Sequence, residues 1–327
     1  MIKTYFYNHA EGKMYHDVDL TRRAELLQDT RNLLWIDLYN CTAEELKHVG
    51  NIFDFHPLAI EDCLHDSPRS KVDRYEDDDD QYYFFVFHAL RYDEEKEIEI
   101  STEELNIFLG KNYLVTIHKK PLQTIGRIAA ASLRSHHYMN RGPDFLLYSM
   151  VDGITDEYFP ILERISARID ELEDEIYVEP VHEITEEFLA LKRNIVLIRR
   201  VIQPQKRIFA NVNGRYSFEI DEENIPYYID LVDHLERISD GVESYRDLIS
   251  GALETYYSLV TSRTNDTIRM LTVISTVMLP LTFITGFFGM NVPIPFGDSY
   301  FSTVIIFGCL MGMTYWMLKL FRKRGWI

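Results

Sequence analysis

Three cysteines, Cys41, Cys63 and Cys309, are all that 327 residues contain, and their scatter excludes a disulfide framework and a CxxC metal site. That usage suits a reducing compartment. No GxxxxGK[ST] loop is present, which argues against a nucleotide-driven pump. The 11 histidines form no HExxH pair, and His136-His137 and the rest are expected at the surface or satisfied in the core. A membrane-tethered hydrolase would need a convergent His and carboxylate cluster in the N-terminal half; none is legible, and the chain is not expected to be an enzyme. Basic residues are also scarce, 34 Lys+Arg against 52 Asp+Glu for a net charge of -18. Such a balance repels nucleic acid and attracts cations. The first residues, Met1 to His9, lack an apolar core of signal-peptide length, so the acidic part is expected to stay in the cytoplasm.

Charge is absent from one further place, and there the chain changes character. Between Met270 and Leu318 the single charged side chain is Asp298. Met270–Phe288 is 19 residues long and Phe301–Leu318 is 18, each close to the roughly 20 residues that cross a bilayer as a helix. Residues 266–327 carry a net charge of +3, which leaves the preceding 265 residues at -21. Arg263 and Arg269 precede the first span, Arg322-Lys323-Arg324 follows the second, and the loop Asn291–Tyr300 holds no Lys or Arg. The positive-inside bias therefore predicts both termini in the cytoplasm and the loop outside. Tyr300, Trp316 and Trp326 fall near the expected interfaces with membrane lipid.

Upstream, residues 1–145 predict a cytoplasmic α/β domain. Leu33–Leu38, Tyr82–His88, Leu105–Phe108 and Tyr113–Ile117 have the composition of strands, the last two as a hairpin around Gly110-Lys111-Asn112. Thr42 and Pro57 mark helix starts. Glu76 to Asp80 is expected as a charged loop. Residues 146–220 change to helical period and predict an antiparallel pair, Leu146–Val178 and Ile184–Ile208, around Pro180, followed by a turn at Asn211–Gly214. Residues 221–288 contain no proline between Pro226 and Pro280, so one stalk helix of about 60 residues, roughly 90 Å at about 1.5 Å per residue, is expected to run into the first span. Residues 289–300 form the outer loop, 301–320 the second span and 321–327 a basic tail.

The first span carries Asn265, Ile268, Leu271 or Thr272, Ser275, Leu279, Thr282, Gly286 and Gly289 at three- and four-residue steps, a stripe of small, hydroxyl and amide groups broken by aliphatic ones. Small residues and hydroxyls at this spacing also suit plain helix packing, and the stripe alone leaves both readings open. Two spans cannot enclose a conducting path, so any pore requires a homo-oligomer. The stripe has no carboxylate, and a cation passing along it would keep most of its water, as suits Mg²⁺. Ile268, Leu271 and Leu279 could form dewetted constrictions.

Phe288-Gly289-Met290-Asn291 at the outer end of the first of two C-terminal spans, preceded by Leu279–Gly286 and followed by a basic tail, resembles the CorA family of divalent metal ion transporters. Ile60-Glu61-Asp62, Pro68–Val72, Leu146–Ser149, Leu191–Asn194 and Tyr245-Arg246-Asp247 resemble further signatures, so that the likeness covers nearly the whole chain. The resemblance implies an α+β membrane protein: an N-terminal domain, a long helical stalk and two transmembrane helices in a funnel-shaped homopentamer of the cell (inner) membrane. It implies a selectivity filter of Gly289, Met290 and Asn291, with Asn291 as a ring of oxygens for hydrated Mg²⁺. Asn265 and Thr282 match its polar rings, and Ile268 and Leu271 its hydrophobic gate. It further implies regulatory Mg²⁺ between subunits, at Asp62 and Asp230 with Glu61, Asp233 and His234 close by. Mg²⁺ is thus expected both as cargo and as regulator, with no organic cofactor and no nucleic-acid partner. Transport would be passive, because a divalent ion gains about 4.6 kcal/mol from a 100 mV inside-negative potential.

The sequence departs from that family after Asn291, where Val292–Asp298 stands in place of an acidic Met-Pro-Glu element. Zn²⁺, Co²⁺ or Ni²⁺ transport and a membrane-anchored scaffold without ion flux are the alternatives.

Overall fold

The computed structural model describes residues 1–76, 81–92, 100–178, 182–211, 215–290 and 300–326, the side chains of residues 182 and 302 excepted. The acidic run 77–80, Pro180, residues 212–214 of the expected turn, and residues 291–299 with Asn291 and Asp298 lie outside this description.

Among the described residues seven strands form one sheet: β1 (Ile2–Asn8), β2 (Lys13–His16), β3 (Leu33–Tyr39), β4 (Lys71–Glu76), β5 (Gln81–Tyr92), β6 (Ile100–Gly110) and β7 (Tyr113–His118). Their order is β2-β1-β3-β7-β6-β5-β4, and only β3 and β7 pair in parallel. The four expected strands are β3, β5, β6 and β7. The hairpin between the last two turns at Lys111-Asn112, and Asn112 Nδ2 donates to the Leu27 carbonyl. Helices α2 (Ala43–Phe53) and α3 (Pro57–Leu64) cover one face, burying Leu46, Val49, Phe53 and Ala59 against Leu34, Ile36, Phe84 and Phe108.

Those two helices start where local chemistry directs. Thr42 Oγ1 accepts the Glu45 N–H while the Glu45 carboxylate accepts that of Thr42, a reciprocal cap. Pro57 occupies the first turn of α3, where its missing N–H costs no bond.

The opposite face carries α4 (Gln123–Ser132), α5 (Pro143–Asp156), α6 (Tyr158–Val178) and α7 (His182–Phe209); a short helix, α1 (Arg23–Leu26), precedes β3. Tyr158 Oη and Gln205 Nε2 both donate to the His88 carbonyl, fixing these helices to β5. Leu146–Val178 is therefore not one helix, because the chain turns at Glu157 between α5 and α6. Glu157 there accepts the Thr124 N–H and hydroxyl, serving the start of α4. His136 stacks on Tyr7 and His137 meets the edge of Phe145, so both are ring-packing groups.

Helix α8 runs unbroken from Ile225 to Phe288, 64 residues, and α9 spans Tyr300–Lys323. The expected start near Asp221 moves to Ile225 because Asp221–Asn224 makes a turn closed by the Asn224 N–H on the Asp221 carbonyl. By compactness the chain has two units, Met1–Glu175 with Val181–Gly251, and Ile176–Pro180 with Ala252–Ile327. In the first, Leu231, Leu235, Ile238, Val242 and Ile249 of α8 are buried at helical spacing. In the second, two helices among the described residues are long and apolar enough to cross a membrane, α8 and the Thr303–Lys323 part of α9.

Candidate metal centre and ion pathway

On α8, Asp230 and His234 stand four residues apart and share a face. On α5, Asp152 comes up against them. His234 Nδ1 lies 3.4 Å from Asp152 Oδ1 and His234 Nε2 lies 3.8 Å from Asp230 Oδ2. One ligand atom from each of the three falls within 4.8 Å of the others. An ion with ligands at about 2.1 Å can bridge atoms that far apart directly or through one water.

Asp152 Oδ1 and His234 Nδ1 are buried atoms with no hydrogen-bond partner. Such groups carry a desolvation cost that a bound cation would remove. Burial, and then the neighbouring Asp156 carboxylate, push the Asp152 carboxyl above the usual range. Burial and Asp152 likewise raise the Tyr148 phenol. Two carboxylates and an imidazole suit a divalent cation; the oxygens favour Mg²⁺, and the nitrogen widens the range towards Co²⁺, Ni²⁺ and Zn²⁺.

Of the residues singled out in the sequence, Asp230 and His234 meet, whereas Asp233 is exposed and outside the group. Asp62, on α3, is held by Lys71 at 2.6 Å, and Lys71 also holds Asp73 at 2.6 Å; Glu61 beside it is exposed. Asp152 was missed. It falls beside the apolar positions Met150, Val151 and Ile154, and its signal was the line Tyr148, Asp152, Asp156 along one edge of α5.

In the spanning part of α8, Asn265, Ile268, Leu271, Thr272, Ser275, Leu279, Thr282 and Gly286 are all exposed in the single chain. The shielded positions are others: Val273, Val277, Pro280, Leu281 and Ile284. On α9 a matching seam runs through Ile306, Leu310, Met313, Met317 and Leu320. Seams at three- and four-residue steps are the pattern of helices packing side by side. At about 100° per residue the polar stripe points to the side of α8 opposite its shielded seam. The Thr272 hydroxyl donates to the Ile268 carbonyl and that of Thr285 to Leu281, which leaves their oxygen lone pairs free to accept from water. Gly289 closes the helix with its N–H on the Thr285 carbonyl; a Cβ there would sit 3.0 Å from that same oxygen. Gly289 and Met290 are exposed, and Asn291 lies just beyond the described residues.

Residues 31–323 match the family described as CorA-like Mg²⁺ transporter protein. The chain is 32% identical over 311 residues to the cobalt/magnesium transport protein CorA of Thermotoga maritima, across 92% of this chain and 85% of that one. It is 24% identical over 306 residues to the protein of the same name from Methanocaldococcus jannaschii, covering 93% of this chain and 94% of that one. The complete structure of the CorA magnesium transporter from M. jannaschii superposes with a TM-score of 0.81 at 23% identity, covering 100% of this chain and 99% of that one.

Proposed function

Because the chain belongs to the CorA-like Mg²⁺ transporter family, we propose that it is a passive Mg²⁺ uptake channel of the cell (inner) membrane, working as a homopentamer with both termini in the cytoplasm. The observation that carries this reading is the uncovered stripe from Asn265 to Gly286, which lies away from the shielded seam of its own helix. Such a stripe in hydrocarbon would leave the Asn265 amide and the hydroxyl lone pairs without donors or acceptors to meet, whereas around a shared axis it lines water.

In this mechanism Asn291 at the outer mouth accepts hydrogen bonds from the water shell of Mg²⁺, and Gly289 lets the backbones approach closely. Thr272, Ser275, Thr282 and Asn265 receive the hydrated ion in turn. Ile268, Leu271 and Leu279 close the path when the helices draw together, because an apolar ring sheds the water the ion needs. The membrane potential supplies the driving force, about 4.6 kcal/mol per divalent ion at 100 mV.

Regulation is assigned to the acidic clusters. Mg²⁺ bound between subunits, at Asp62 with Glu61 beside it and at Asp230 with Asp152, Asp233 and His234 close by, would offset carboxylate repulsion and hold the subunits in the shut arrangement. Loss of internal Mg²⁺ would release them, and continuous α8 would carry the change into the span. Co²⁺, Ni²⁺ or Zn²⁺ as cargo is the second reading, and the cobalt/magnesium transport protein of Thermotoga maritima supports its cobalt form.

Two experiments in proteoliposomes test the proposal. Asn291→Ala is expected to bring Mg²⁺ uptake down to the level of empty liposomes while cross-linking still gives pentamers; normal uptake would sink the filter assignment. Asp152→Asn combined with Asp230→Asn should leave uptake running at internal Mg²⁺ concentrations that silence the parent protein. Unchanged inhibition would remove the cluster from the mechanism, and competition among Mg²⁺, Co²⁺, Ni²⁺ and Zn²⁺ in the same assay ranks the cargo.

A further inference from the structure

A cavity of about 640 Å³ opens at the end of the sheet where β5 begins and β6 finishes. Its walls include Gln81, Lys111, the start of α5 at Pro143-Asp144, and Glu219 and Asp221 from the segment leading into α8. Asp144 is the unusual member. It is only 4% exposed, and its Oδ2 accepts the Asp221 N–H at 3.0 Å and Asn224 Nδ2 at 2.9 Å. Its other oxygen, Oδ1, has no hydrogen-bond partner.

The ground beside that oxygen is shaped by Gly142, whose φ of 97° belongs to glycine. A Cβ at Gly142 would sit 3.0 Å from Asp144 Oδ1 and 3.6 Å from Asp221 Oδ2. The missing side chain thus leaves a cradle flanked by two carboxylate oxygens. Glu219, which accepts from Gln81 Nε2 at 3.3 Å, adds a third acid to the cavity wall, and Lys111 is the one cation among the described residues that line it.

An asparagine at position 144 could accept the same two hydrogen bonds without burying a charge beside a second acid. Burial, together with the Asp221 charge, pushes the Asp144 carboxyl above the usual range. An unpaired buried carboxylate of this kind is costly, and a cation cancels that cost.

We propose that the cradle between Asp144 and Asp221 is a divalent-cation site contained within one chain, taking a hard, oxygen-seeking ion of the Mg²⁺, Mn²⁺ or Ca²⁺ class and fastening the root of α8 to α5. It is separate from the Asp152 cluster, which lies eight residues further along α5, and it does not depend on the transport reading. The ion would bind Asp144 Oδ1 and Asp221 Oδ2, completing its shell with water from the open cavity. Tyr228 Oη already donates to the Asp144 carbonyl and Asn224 Nδ2 to that of Arg141, so the ion would bind a joint the protein has built on both sides.

The test counts Mn²⁺ bound per chain by electron paramagnetic resonance, using the full-length protein in detergent. Asp152→Asn, Asp230→Asn and His234→Ala are present throughout to silence the other cluster. Adding Asp144→Asn with Asp221→Asn is expected to remove one further Mn²⁺ per chain; an unchanged count overturns the proposal. Should that variant fail to fold, Asp221→Asn alone keeps the backbone N–H that Asp144 needs and should still weaken this site. Crystals soaked in Mn²⁺ give an independent readout: an anomalous peak between Asp144 and Asp221 is expected. Peaks elsewhere only would overturn the site and leave a shared proton as the account of the buried acid.

Discussion

Trp35 and Leu279 show how differently the two units of this chain treat an apolar side chain. Trp35 is wholly buried, stacked on Tyr5 at 4.6 Å, with its indole N–H on Thr116 Oγ1 at 3.0 Å. Leu279 stands 71% exposed, and Ile268, Leu271 and Phe283 are more than half exposed beside it. The first unit covers its own apolar side chains: sheet, helices and ring stacking close around one another. In the second, apolar side chains wait for surroundings that a lone chain in water does not have. Lipid can cover Phe283, but it cannot satisfy Asn265 or Ser275, which is the contrast that the proposed homopentamer rests on.

Deleting side chains on either side tests the contrast. The largest effect is expected at Trp35→Ala, which removes a buried ring and its hydrogen bond and should lower the stability of the first unit by about 3–5 kcal/mol in urea unfolding followed by circular dichroism. A loss under ~1 kcal/mol would mean that the sheet is less closely packed than its burial implies. Thr42→Ala breaks one half of the reciprocal cap on α2 and should cost about 1 kcal/mol in the same assay, with Thr42→Ser restoring most of it. Leu279→Ala should be the smallest by this measure, within ~0.5 kcal/mol, while Mg²⁺ leak through the channel proposed above rises at high internal Mg²⁺. A large stability loss at Leu279, with no change in leak, would place that side chain in a packed interface and not in the pathway.

Much of the fold was legible where a single local rule decided the outcome. The β6–β7 hairpin, the capped start of α2, Pro57 in α3 and the unbroken α8 all follow from short patterns. Strands β1, β2 and β4 escaped detection for physical reasons. β2 is four residues long, and β4, Lys71–Glu76, is a polar edge strand whose pattern is set by its partner β5. The turn at Glu157 has one local signal, Pro160 in the first turn of α6, while the bond that Glu157 makes there reaches the Thr124 N–H, 33 residues away, and no short pattern encodes it. In the candidate centre, Asp230 and His234 share one helix face and could be grouped from spacing, whereas Asp152 joins them across a helix contact that spacing does not encode. Asp144 was missed for a related reason. In the first turn of α5 it resembles an ordinary helix-start acid, and only the enclosure of Oδ1 marks it out.

Pro280, inside α8, has no N–H to offer, so the carbonyl of Thr276 one turn earlier loses its intrahelical donor. At bilayer depth that oxygen must find water or a neighbouring chain, since a lone carbonyl costs several kcal/mol in hydrocarbon. One backbone bond fewer also means less resistance to flexing at that turn. The turn at Pro280 is thus where this long helix resists bending least, close to its end at Phe288.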